Sequence, residues 1–247
     1  MKKWIVLFLI LLSGCAKENI HEHDEALLIS AATSLIDVLE HVKDVYESRC
    51  DCTLTINFGG SGSLAQQILQ GAPVDVFISA DARFVDMLEE KGKIVVETRA
   101  VVAENTLVMI AHPTFPKRLT IDQLDEVNRI AIGNPETVPA GSYIKQVFES
   151  LGRWERYESS FVFAKDVRQV VSYVETGNVD VGFVYESDVR SAKAVKVLEA
   201  IDERLHAPIV YPVAVMESSK KRDEATEFVE FLLSEEGQAI FHEYGFR

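Results

Sequence analysis

The sequence predicts an α/β protein of two lobes: a clamshell of two mainly parallel sheets flanked by helices and joined by two extended crossings. Three observations predict it. Short apolar runs alternate with helical patterns from Ala26 onward, and a β-α-β order implies parallel strands with right-handed crossovers. The alternation breaks at "RAVVAENTLVMIAHP", residues 99–113, an extended stretch suited to passing from one lobe to another. A second extended stretch, "APIVYPVAVM" at 207–216, mirrors the first and should return the chain. Residues 26–104 with 210–247 then form the first lobe, and residues 105–209 the second.

The elements follow in order. "MKKWIVLFLILLSGC", residues 1–15, reads as an export signal, with Lys2 and Lys3 ahead of an apolar run from Trp4 to Leu12. That run is too short for a stable membrane-spanning helix. It ends in Leu12-Ser13-Gly14-Cys15, which looks like a bacterial lipobox with Cys15 as the lipidated residue. The alternative is a plain secretory signal. Residues 16–25 are a polar tether, and His21 and His23 read as solvated linker rather than metal ligands. "ALLISAA", "TLTINF" and "VDVFIS" are strands, each followed by a helical pattern, and Gly92 marks the stop of the third helix. In the second lobe the strands are "NRIAIG", "SSFVFA" and "DVGFVY", with helices over Ala140–Leu151 and Asp166–Thr176 between them. The tail from Lys220 to Tyr244 reads as amphipathic helix.

Composition narrows the function classes. The formal charge is −14, and removal of Lys2 and Lys3 takes it to about −16. Such a surface repels nucleic acid and anionic headgroups, and it argues against capture of an anion by a basic patch. With Cys15 acylated, Cys50 and Cys52 remain; a short bridge and two free thiols are both open.

Ligands of open α/β sheets bind where strands end and helices begin. Four such turns stand out. Ser34 and Asp37 have capping-box spacing, as do Ser63 and Gln66, with Ser61 just ahead among glycines in "FGGSGSLAQQI". Pro139 precedes Ala140 and Gly141 where a helix should start, and Asp166 caps a helix whose first residue is Val167. Together these turns bring several helix N-termini, with unsatisfied N–H groups, to one cleft that can hold an oxyanion without formal positive charge. The nucleotide-binding patterns G-x-x-x-x-G-K-[ST] and G-x-G-x-x-G are absent, and Gly60-Ser61-Gly62 lacks the spaced elbow of a serine hydrolase. His41, His112, His206 and His242 show no partner arrangement around it. A serine-dependent hydrolase is therefore a remote alternative, and no enzymatic activity is expected.

From Ala26 to Arg247 the chain resembles the extracytoplasmic molybdate-binding proteins that feed ABC importers. The resemblance rests on "AATSL", "GAPVDVFISAD", "GNPETVPAGSYIK", "KDVRQ", "GFVYESD", "YPVAV" and "IFHEYGF", in that order. It implies a periplasmic-binding-protein-like clamshell holding a tetrahedral dianion. The implied binding positions are Ser34 and Ser61 from the first lobe, and Ala140, Val167 and Tyr185 from the second. The serines would offer hydroxyl and backbone donors, Ala140 and Val167 their N–H groups, and Tyr185 its phenol; the metal is met only through its oxygens. The sequence departs from the family pattern at Thr33, where a small residue is usual, and at the loose Gly-Gly-Ser-Gly-Ser turn. The resemblance implies molybdate, with tungstate beside it, as cargo and no cofactor. Other oxyanions such as sulfate, and a non-transporting sensor, are the alternatives. The implied partners are the small anion, an ABC permease and, through lipid on Cys15, the outer face of the cell membrane. No nucleic acid and a monomeric state are expected.

Overall fold

The computed structural model describes residues 26–247. The export signal, the lipidation residue Cys15 and the tether histidines His21 and His23 lie outside the described residues. The chain begins with β1 (Leu27–Ala32), α1 (Ile36–Glu47), β2 (Leu54–Gly59), α2 (Ser61–Leu69), β3 (Val76–Ile78) and α3 (Ala82–Glu90). The expected crossing at 99–113 resolves into β4 (Ala100–Glu104) and β5 (Leu107–Ala111). There follow β6 (Ile130–Gly133), α4 (Pro139–Ser150), α5 (Trp154–Tyr157), β7 (Phe161–Ala164), α6 (Val167–Glu175), β8 (Val181–Tyr185), α7 (Glu186–Ser191) and β9 (Lys196–Ala200). The chain closes with β10 (Val210–Val215), α8 (Arg222–Leu233) and α9 (Glu235–Glu243).

Two five-stranded sheets result, in the orders β2-β1-β3-β10-β4 and β7-β6-β8-β5-β9. In each, three neighbouring strands are parallel, and a fourth runs antiparallel between them and the last. The antiparallel strands are β10 and β5, the two that carry the chain across. β4 and β5 belong to different sheets, so Asn105 and Thr106 alone bridge them. Strands covered by helices on both faces need apolar residues throughout, and all residues of β5 and β8 are buried.

The helices dock by apolar stripes at helical spacing. In α6 the stripe is Val167, Val170, Val171 and Val174, all buried. Burial of each is worth about 1.5–3 kcal/mol, which holds the N-terminus of α6 rigidly at the edge of its sheet. Gly92 ends α3 as expected, in the left-handed region at φ 61°. Cys50 and Cys52 form a disulfide. Among the described residues no helix is long and apolar enough to cross a membrane.

Three local expectations fail. The capping box at Ser34 and Asp37 does not form: Ser34 lies in a 3-10 turn, Thr33–Leu35. Its hydroxyl bonds Tyr211, and Asp37 pairs with Arg168 across the lobes. The box at Ser63 and Gln66 fails because α2 starts two residues earlier, at Ser61, with Gly60 as an N-cap that makes no side-chain bond. The tail is not one helix. Ser234 takes an extended conformation (φ −66°, ψ 161°) and its Oγ accepts from Gly237 N–H at 3.1 Å, ending α8 and capping α9.

Candidate functional site

A small cavity of about 10 Å³ lies between the lobes, lined by Ser34, Ser61, Ala140, Val167 and Tyr185 together with Thr33, Gly60 and Ala80. All five residues implied from the sequence thus meet at one place. They get there because each follows or ends a parallel strand: Ser34 after β1, Ser61 after β2, Ala140 after β6, Val167 after β7, and Tyr185 as the last residue of β8. Thr33, flagged as a departure, lines the same cavity and is itself buried.

The backbone donors come from first turns of helices, where N–H groups have no intrahelical acceptor. Asp166 caps α6 by accepting from Gln169 N–H at 2.8 Å, leaving Val167 as the first helical residue. Pro139 opens α4 and carries no N–H, so Ala140 is the first residue of that helix able to donate. Ser61 opens α2. Each terminus also contributes the positive end of its dipole.

The hydroxyls are equally constrained. Ser61 Oγ accepts from Ala80 N–H at 3.1 Å, which leaves its own proton free for the cavity. Ser34 Oγ lies 3.0 Å from Tyr211 Oη. Tyr185 is 1% exposed, and among the described residues its phenol oxygen has no hydrogen-bond partner. Burial pushes the Tyr185 phenol well above its ordinary range, so it stays protonated and has a proton to donate to an anion. Behind it, the Tyr185 N–H donates to Asp188 Oδ2 at 3.0 Å. Burial raises the Asp188 carboxyl to about 7, opposed by Arg168. Among the described residues no Lys, Arg, His, Asp or Glu lines the cavity. Neutral donors face inward from both lobes, and no ionised acceptor competes with a ligand.

The glycine turn has a second task. Gly62 N–H donates to Thr137 O of the other lobe at 3.0 Å. A Cβ on Gly60 would stand 2.8 Å from Thr137 O, and one on Gly62 would stand 2.9 Å from Thr137 Cα. Only glycine lets the two backbones approach this closely. Arg83 reaches Pro135 O at 2.9 Å, and Arg168 pairs with Asp37, so two further contacts join the lobes around the cavity. The structure is the closed form of a clamshell.

Local reasoning missed Ala80, which is part of the lining, and Tyr211 and Asn105, which stand behind it. Tyr211, Asn105 and Ala80 touch Ser34 or Ser61 directly or at one remove. Tyr211 sat in plain view within "YPVAV", but nothing near it in sequence told that its phenol reaches Ser34, 177 positions away.

Comparison with known proteins agrees with this geometry. The family model described as bacterial extracellular solute-binding protein matches residues 27–247. A Bacillus subtilis protein named as a putative ABC transporter substrate-binding lipoprotein, YvgL, is 38% identical over 242 residues, 96% of this chain and 93% of that one. The molybdate-binding protein ModA of Escherichia coli is 33% identical over 253 residues, 99% of this chain and 98% of that one. Among solved structures, the periplasmic molybdate-binding protein of Azotobacter vinelandii superposes with a TM-score of 0.80 at 25% identity, covering 90% of this chain and 98% of its own. The chain belongs to the bacterial extracellular solute-binding proteins, which serve transporters and are not enzymes.

Proposed function

We propose that the protein binds molybdate, and tungstate alongside it, between its lobes and delivers the anion to an ABC import permease. One observation carries the reading: five residues with neutral donor groups, drawn from both lobes, line one cavity of about 10 Å³. Organic ligands occupy pockets of roughly 300–1,000 Å³, so only an ion of a few heavy atoms suits the space. The names of the relatives that bind molybdate supply the cargo.

The donor set also sets the protonation state of the guest. A cradle that only donates favours an anion with no proton left, because a protonated oxygen would face a donor and find no acceptor. Phosphate groups titrate with a pKa near 6 in their esters, so phosphate keeps a proton on part of its population near neutrality. Molybdate and tungstate do not. Sulfate passes the same test and must be turned away by size.

The net charge of −14 is no obstacle. Exposed charges beyond roughly 10 Å are screened at ordinary ionic strength, whereas dipoles in a dry cavity act at low dielectric. Because the donors come from both lobes, loading and closure stabilise each other, and a permease can recognise the closed form. Cys15 as a lipid anchor would keep the receptor beside that permease on the outer membrane face, in line with the lipoprotein named among its relatives.

Calorimetry on residues 26–247 tests the assignment. Molybdate and tungstate should each bind with one-to-one stoichiometry, and phosphate at the same concentrations should release no heat. Phosphate binding as tightly as molybdate would overturn the reading.

A further inference from the structure

We propose that Asn105, in the two-residue passage between the lobes, sets the direction of a buried hydrogen-bond relay through Tyr211 that keeps Ser34 a donor toward the cavity. The inference rests on the reading of Ser34 as an anion contact. Asn105 is a positioning residue in this scheme, since it touches no ligand.

The relay follows from counting protons. Thr106 N–H donates to Asn105 Oδ1 at 2.9 Å, which fixes the amide with its nitrogen turned the other way. Asn105 Nδ2 then donates one proton to Ser187 Oγ at 2.8 Å and the other to Tyr211 Oη at 3.3 Å. Tyr211 Oη already accepts, so its own proton goes to its remaining partner, Ser34 Oγ, at 3.0 Å. Ser34 thereby accepts from behind, and its proton can only point forward. Asn105, Ser187, Tyr211 and Ser34 are each at least nine-tenths buried, so no water substitutes for a missing link.

A serine hydroxyl alone is indifferent: it can donate to a bare oxyanion or accept from a protonated one. The relay removes that choice. Ser61 is held the same way by the Ala80 N–H, so both serines that line the cavity are committed donors. For Ser34 the commitment is made at the passage between lobes, by a side chain that bonds α7 of one lobe and β10 of the other.

Asn105→Asp tests this, because it is isosteric and reverses the relay when ionised. The introduced carboxylate would accept from Tyr211, Tyr211 would accept from Ser34, and the serine proton would turn away from the cavity. Once protonated, that carboxyl donates and the native direction returns. The charged and titratable groups nearby are Arg247, which donates to Asn105 O at 3.3 Å, with Asp188 and Tyr143 around Tyr211 and Glu104 next in the chain. Wild type measured over the same range corrects for them and for the anion's own protonation.

Molybdate titrations of wild type, Asn105→Asp, Tyr211→Phe and the double variant between about pH 6 and 9, a range that brackets titration of a buried carboxyl, decide the matter. Asn105→Asp should bind at least about tenfold more weakly at the upper end, as expected for a lost hydrogen bond to an ion, recovering as pH falls. In the Tyr211→Phe background the same change should cost less than about twofold, with no pH trend, because the two positions are coupled through one network. Tyr211→Phe alone should narrow the preference for molybdate over phosphate several-fold, and it remains informative if Asn105→Asp does not fold. Asn105→Asp matching wild type at every pH, an equal loss with and without Tyr211, or an unchanged preference in Tyr211→Phe each overturns the relay. Wild type failing to bind molybdate at all would instead sink the function proposed above.

Discussion

Replacing Tyr185 by phenylalanine deletes one buried oxygen and keeps the ring, which stacks edge-on to Tyr211 with centroids 6.0 Å apart. Among the described residues that oxygen has no hydrogen-bond partner. An orphaned buried donor costs roughly 1–3 kcal/mol, so its removal should leave the melting temperature unchanged or raised. With anion bound, the same oxygen donates to a charged acceptor, a bond worth about 1.5–3 kcal/mol. At about 1.4 kcal/mol per decade, molybdate affinity should fall roughly ten- to 150-fold. The two effects have opposite signs, and ordinary structural damage cannot produce that combination. Calorimetric dissociation constants and thermal melts of the unliganded protein supply both numbers. An unchanged affinity, or a melting temperature that drops together with affinity, would refute the role given to the phenol.

Other expectations address the remaining parts of the site. Val167→Ala keeps the N–H and should bind nearly as well as wild type. Val167→Pro should fold, because proline is tolerated at a first helical position, yet lose about ten- to a hundredfold in affinity, measured by titration with melting curves as control. Gly62→Ala places a Cβ 2.8 Å from Phe84 Cζ and 2.9 Å from Thr137 Cα; closure should suffer, and small-angle scattering with molybdate should show a more open particle than wild type. Asp188 titrates at about 7 when folded against an ordinary 3.8, so between those values the folded state holds more protons than the unfolded one. Stability therefore falls as pH rises from about 4 to 7, and Asp188→Asn should flatten that slope in chemical denaturation at several pH values. Cys15→Ser should abolish incorporation of labelled palmitate into the expressed full-length protein; label retained by the variant would contradict the anchor.

Legibility in the sequence followed the range of the interactions. The β-α alternation, the Gly92 stop and the Asp166 cap depend on neighbours within a few positions, and they read directly. The box at Ser34 satisfied the same local rules and still failed, because distant partners prevail there. Tyr211 claims Ser34 from 177 positions away, and Arg168 claims Asp37 from 131. The box at Ser63 failed through a helix start displaced by two residues. Ala140 and Val167 carry no polar side chain; their helix starts were legible, but the resemblance was needed to single out these two as contacts. The structure supplies a physical reason for the first: Pro139 has no N–H to offer, and Ala140 is next in line. Asn105 lay unremarked inside the extended stretch 99–113, since its bonds to Ser187 and Tyr211 span 82 and 106 positions.

A crystal structure of residues 26–247 grown with molybdate, with anomalous scattering used to place the molybdenum, tests the donor cradle most directly. The metal should lie in the interlobe cavity, its oxygens about 2.7–3.2 Å from Ser34 Oγ, Ser61 Oγ, Ala140 N, Val167 N and Tyr185 Oη, with no charged side chain touching it. Molybdate held instead by lysine or arginine side chains, or seated outside the cleft, would contradict the account.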